Sequence, residues 1–314
     1  MEEIRAFDAH CDALYRGWCT GEGLDKNKGH FSLDKLTAFT SYAQFFACFV
    51  KPEDTMGQSL WEVFLTQAAQ FHRETEKNRE RLAFCTTAED VTRAWAEGRT
   101  AGFLSVEGGE LLECDPGRLE EAFRLGARAV NLTWNHPNLL SGANEEESDR
   151  GLSPAGADFV RAMGRLGMLV DVSHLSDAGF WDVIRLARGP ILASHSNSRR
   201  VYFHPRNLTD EQFTAIIDLQ GAVGLNLCPK FLGDDPGLDD AVRHLEHFLA
   251  LGGEDVVALG GDWDGVDALP RGVRDVTGWA ELFRRLRARG YGQELLDKLF
   301  YKNMMRVVSK VCIM

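Results

Sequence analysis

Short, almost wholly apolar segments recur along this chain and alternate with stretches whose apolar residues return every three or four positions. The first kind predicts strands over 6–10, 43–50, 101–107, 128–134, 167–174, 190–195, 221–227 and 255–262. Several are apolar nearly throughout, as strands covered on both faces are. The second kind predicts helices with recognisable starts. Ser32 precedes LDKL, Thr87 stands three residues before Asp90, Ser153 precedes PAGADFVRAMGRL, and Thr209 precedes DEQFTAIIDL. Such side chains accept the unpaired N–H groups of a first turn. A long charged amphipathic helix is expected over 57–82, wrapping the outside.

Eight strands alternating with helices imply a parallel sheet, and a closed (β/α)8 TIM barrel is the expected fold. An open doubly wound sheet fits less well, because no strand runs into GxGxxG or a P-loop. Linkers and repeats are missing, so residues 1–314 read as one barrel domain.

Charge narrows the partners. With 47 acidic against 35 basic residues the formal charge is −12, which argues against nucleic acid or an anionic membrane surface. The acidic cluster NEEESD at 144–149 reads as a solvated loop. The seven cysteines are odd in number, scattered and without a CxxC pair, which suits a reducing compartment better than a disulfide framework or thiolate zinc. The start, MEEIRAF, lacks an apolar signal core, and no run of about 18 apolar residues occurs. Cys312 in the final VCIM is one place off for prenylation. A cytoplasmic location is expected.

The polar residues at the strand ends carry the chemistry. His10 and Asp12 follow the first strand, Glu107 the third, His174 the fifth, His195 the sixth and Asp262 the eighth. In an extended segment His10 and Asp12 share a face and Cys11 points away. The C-terminal ends of barrel strands converge on one mouth, so three imidazoles and three carboxylates would meet there. Carboxylates so crowded repel one another unless cations intervene. Two divalent ions about 3.5–4 Å apart, sharing a bridging water or hydroxide, would reverse the repulsion. Nitrogen and oxygen ligands without thiolate suit zinc, with manganese or cobalt as substitutes. SVEGGE taken alone reads as a turn, and GGDWDG lacks the later Glu of a calcium loop. His72, His244 and His247 fall on helical stretches and His30 and His204 in loops, where packing or surface roles are expected.

FDAHCD, SVEGGE, LVDVSHLSD, ILASHSNSRR and GGDWDGV, in this order and spacing, resemble the membrane dipeptidase (renal dipeptidase-like) metallopeptidases, which belong to the amidohydrolase-type barrels. The likeness runs from residue 6 to beyond NMMRVV at 303–308. It implies a binuclear zinc dipeptidase acting on short peptides with a free C-terminal carboxylate, and a homodimer. On that pattern His10 and Asp12 hold one ion, His174 and His195 the other, and Glu107 bridges them. Asp262 serves as general base and then acid, and Arg206 receives the substrate carboxylate. One position departs from the pattern: Trp134 stands where family members often carry a His beside the scissile carbonyl. His136, two residues on, reaches the same face only if the chain stays extended ahead of Pro137. That departure keeps open a related binuclear hydrolase of an N-acyl amino acid or lactone. A non-catalytic ligand-binding barrel is the remaining alternative.

Overall fold

The computed structural model describes residues 3–313. Its strands are β1 Arg5–Cys11, β2 Ser41–Cys48, β3 Leu82–Phe84, β4 Thr100–Glu107, β5 Ala127–Asn131, β6 Leu169–Asp171, β7 Leu192–Ala193, β8 Ala222–Leu225 and β9 Val257–Leu259. Eight of them close into the expected barrel, in the order β1-β2-β4-β5-β6-β7-β8-β9 and back to β1, every neighbour parallel. Helices cover the outside, and none of the described ones is long and apolar enough to cross a membrane.

The alternation of side chains splits the core in two. Phe7 of β1, Phe45 of β2 and Phe103 of β4 point into the barrel and stack with ring centroids 4.8–5.8 Å apart. Met304, Val307 and Val308 of the C-terminal helix Asn303–Val311 belong to the same apolar cluster and close the barrel opposite the strand ends. Residues of the other parity, such as Leu104 and Val106, pack outward with the helices. Continuing from Phe103 through Ser105, the inward parity of β4 reaches Glu107. Strand β1 gets there by a different route. Asp8 lies opposite Gln44 and Cys11 opposite Phe46, so β1 carries one extra residue, a bulge that re-aims the end of the strand. Cys11 therefore faces outward and His10 and Asp12 turn to the mouth, as the alternation argument expects.

Three expectations need correction. The long helix runs Leu60–Lys77, capped by Ser59 and Glu62, and residues 82–84 form β3, paired with the start of β4. Buried Leu82 and Ala83 gain more from that pairing than from another exposed helical turn. Ser32 caps no backbone: its hydroxyl bonds Asp34, and a short 3₁₀ turn, Leu33–Ala38, comes next. Finally, β6, β7 and β9 hold only two or three residues each. At the ends of β6 and β7 a polar side chain takes over the ladder: Asp171 Oδ1 accepts the N–H groups of Ser173 and Ser194, each at 3.0 Å. The caps at Thr87, Ser153 and Thr209 form as expected.

Candidate metal centre

All six strand-end groups meet at the barrel mouth. Glu107 is the hub. Its Oε1 lies 2.8 Å from His174 Nε2 and 3.6 Å from His195 Nε2, while its Oε2 lies 3.4 Å from His10 Nε2. One carboxylate thus presents one oxygen to each half of the cluster. His10 Nε2 is also 3.3 Å from Asp12 Oδ2. Two overlapping trios, His10–Glu107–His195 and His10–Asp12–Asp262, have ligand atoms close enough to share an ion.

Three observations say that these residues fit a metal rather than one another. His174 Nε2 and His195 Nε2 face each other at 2.9 Å. The outer nitrogens are already engaged: His174 Nδ1 lies 2.8 Å from Asn135 Oδ1, and His195 Nδ1 lies 2.7 Å from Ser194 Oγ. Asn135 Oδ1 can only accept, so His174 carries its proton on Nδ1 and turns a lone pair inward. Moreover, His10 Nε2 and Asp12 Oδ1 are buried without a hydrogen-bond partner among the described residues, despite the short ion-pair distances. Unpaired buried polar atoms are costly, and a coordinated cation removes the cost.

Proton affinities point the same way. Burial, with Arg206 nearby, lowers His174 to about 4, and burial with the charge of His10 lowers His195 well below the usual imidazole range. Both rings are then neutral at pH 7, the form in which an imidazole can bind a metal. Burial opposes charge on Glu107, but His10 and His174 together outweigh it and hold this carboxyl well below its usual value. Burial and the charge of Glu107 push Asp12 up to about 8. The crowding of acids is real, and dications relieve it.

The local backbone is shaped for this cluster. His174 and Asp262 adopt left-handed φ values of 71° and 58°. Each such conformation costs a non-glycine residue about 1–3 kcal/mol. Gly265 matters for a different reason: a Cβ there would lie 2.2 Å from Asp12 Oδ2 and 2.3 Å from Asp262 Oδ1. Only glycine lets both carboxylates approach.

Above the cluster opens a cavity of about 430 Å³, lined by Asp12, Glu107, His174 and Asp262 on its floor and by Trp134 and Arg206 on its walls. Arg206 is 2% exposed, and none of its three guanidinium nitrogens has a hydrogen-bond partner among the described residues. Its guanidinium carbon rests 5.2 Å from the Phe231 ring centre. Trp134 lies just past the end of β5 and packs against Phe49, ring centres 5.0 Å apart. His136 turns away, exposed, with Nδ1 3.1 Å from Glu146.

Several residues in or behind the cavity wall escaped the sequence reading. Asn226 donates to Asp262 Oδ2 at 3.2 Å. Its signal was available, since it too stands at a strand end. His204, expected to be an ordinary loop residue, lines the cavity and accepts from the Arg206 backbone N–H at 3.2 Å. Glu145, within the cluster expected to be merely solvated, also reaches the wall. His72, His244 and His247 do take packing or surface roles, bonded to Leu125, Ser198 and Asp210.

Comparison with known proteins adds five findings. A family model described as membrane dipeptidase, peptidase family M19, matches residues 1–313. An uncharacterised Klebsiella pneumoniae protein from the pqqA 5′ region is 37% identical over 243 residues, 74% of this chain and 89% of that protein. An uncharacterised dipeptidase of Schizosaccharomyces pombe is 33% identical over 213 residues, which span 66% of this chain and 52% of its own length. Among solved structures, a metallopeptidase from Rhodobacter sphaeroides liganded with a phosphinate mimic of the dipeptide L-Ala-D-Ala superposes with TM-score 0.90 and 29% identity, covering 99% of this chain and 100% of that one. A dipeptidase of family M19 reaches TM-score 0.88 with 30% identity over 99% of both chains.

Proposed function

The chain belongs to the membrane dipeptidase family, peptidase family M19, and from that premise we propose that it hydrolyses dipeptides at a centre of two zinc ions. His10 and Asp12 would hold one ion, His174 and His195 the other, with Glu107 between them. Bound there, the ions supply a water acidified towards neutral pH and a Lewis acid for the scissile carbonyl.

The chain's own groups do the rest. Asp262 lies on the cavity floor, held by Asn226, and takes the proton released as the water attacks. It then returns that proton to the leaving amine. Burial raises the Asp262 pKa, with Glu107 adding to the effect and His10 and Arg206 opposing it, so the carboxylate gains basicity for the first transfer. Arg206 would pair with the substrate's terminal carboxylate, and its fixed place in the same cavity as the cluster would measure length rather than side-chain identity. Trp134 and Phe49 pack together in the cavity wall.

The observation that carries this reading is the buried, unpartnered Arg206 guanidinium in the same cavity as the metal-ligand cluster. A cation in that state calls for an anionic ligand. The relative solved with a dipeptide mimic supports a peptide as that ligand. Trp134, in place of the usual His, supports a second reading: a related hydrolase of N-acyl amino acids or lactones. Turnover of zinc-replete protein should therefore be compared on dipeptides, the same dipeptides as C-terminal amides, N-acyl amino acids and lactones. We expect dipeptides to be cleaved and their amides to be poor substrates. Equal cleavage of amides removes the role of Arg206, and cleavage of lactones or acyl amino acids alone selects the second reading.

A further inference from the structure

Asp8 is a charged group that the mechanism does not use. It is fully buried in the middle of β1, and four N–H groups converge on it. Its Oδ1 accepts from the backbone of His10 at 3.0 Å and of Gly261 at 3.1 Å. Its Oδ2 accepts from the indoles of Trp263 at 2.7 Å and Trp279 at 2.6 Å. These donors come from both ends of the chain. His10 precedes Asp12 by two residues, and Gly261 and Trp263 flank Asp262. The bonds fall where β1 bulges and where the regular β1–β9 pairing, at Asp8 and Leu259, has ended. Without Asp8, the His10–Asp12 and Gly261–Trp263 segments would keep few direct ties, among them the Asp12 N–H bond to the Trp263 carbonyl at 2.8 Å.

The same arrangement recurs across the barrel. Asp171, at the end of β6, accepts from Ser173 and Ser194. Those residues immediately precede His174 and His195 in sequence. In both places a buried carboxylate accepts the N–H two residues ahead on its own strand and another from the neighbouring strand. Each ties together two segments that carry site residues.

We propose that Asp8 is a positioning residue for the metal centre, fixing the His10–Asp12 segment against the Gly261–Trp263 segment so that His10 and Asp12 are held in place for their ion and Asp262 beside it. This rests on the metallodipeptidase reading. Ligand distances for a metal tolerate only about 0.2 Å, so two segments from opposite ends of the chain need a rigid tie. A carboxylate suits the position because it accepts four bonds and brings no donor of its own. Asn would offer one oxygen for two pairs of donors and leave one pair facing its amide.

The test is zinc affinity, measured by chelator competition on metal-free protein, beside the melting temperature of the same samples. Asp8→Asn is expected to weaken zinc binding about 10–100-fold, the range for partners that orient ligands, in a chain that still melts cooperatively. Trp279→Phe removes a single donor, keeps an aromatic ring and touches no ligand, and is expected to weaken binding a few-fold. A folded Asp8→Asn variant with wild-type affinity overturns the proposal, even if its melting temperature falls, because that is a purely structural role. If Asp8→Asn does not fold, Trp279→Phe decides: unchanged affinity overturns the proposal and a few-fold loss supports it. Wild-type protein that takes up no zinc contradicts the metallodipeptidase reading itself, a result distinct from either.

Discussion

Two regions of this barrel bury charge in opposite ways. Below the mouth, Arg128 of β5 is 5% exposed and donates to the carbonyls of Thr86, Phe123 and Ala127. Asp8 likewise receives four donors. At the mouth Arg206 is buried as deeply, yet its guanidinium has no hydrogen-bond partner among the described residues, and Asp12 keeps an oxygen without one four residues beyond Asp8. The residue types are the same and the burial is the same. The difference is whether the fold supplies the partner. A satisfied buried charge does the work of architecture, whereas an unsatisfied one stores a demand that ligands meet, at a cost to stability.

The sharpest test of that contrast is at Asp262. Asp262→Asn should keep its metal while turnover falls by at least about 10²-fold; wild-type turnover would remove this carboxylate from the reaction. The next effect is at Arg206. Replacing it with Met should cost about 2 kcal/mol or more of substrate binding, the scale for a truncated buried charge pair, read as a fall in kcat/KM of about 30-fold or more. An unchanged KM for dipeptides would refute the carboxylate role. The smallest effect compares the two arginines directly. Arg128→Met leaves buried carbonyls without donors and should destabilise the ligand-free protein by about 1–3 kcal/mol, whereas Arg206→Met should leave its melting temperature unchanged or higher. Equal destabilisation by both would erase the distinction between the two regions.

Much of the centre was legible because apolar runs make a polar strand end conspicuous. His10, Glu107, His195 and Asp262 stood out for that reason, and barrel geometry alone brings them together. What the sequence concealed depends on partners. The bulge in β1 shows only once β2 lies beside it. Nothing in the sequence ties Trp279 to Asp8, 271 residues away, which accepts its indole N–H. Asn135 looks like any loop amide and acts through the orientation of His174. Strand β3 was hidden for a local reason: its three residues continue a charged helical stretch without a glycine or proline between. The lengths of β6 and β7 were overestimated because hydropathy records burial, and their ends are buried by side-chain bonds rather than by a ladder.

Metal stoichiometry is the most direct measurement. Purified chain, stripped with chelator, reloaded with zinc and freed of excess, is analysed for ions bound per polypeptide. Two ions per chain are predicted, because Glu107 offers one oxygen to each half of the cluster. None, or one alone at saturation, would contradict the claim that the unsatisfied groups at the mouth form a paired metal centre.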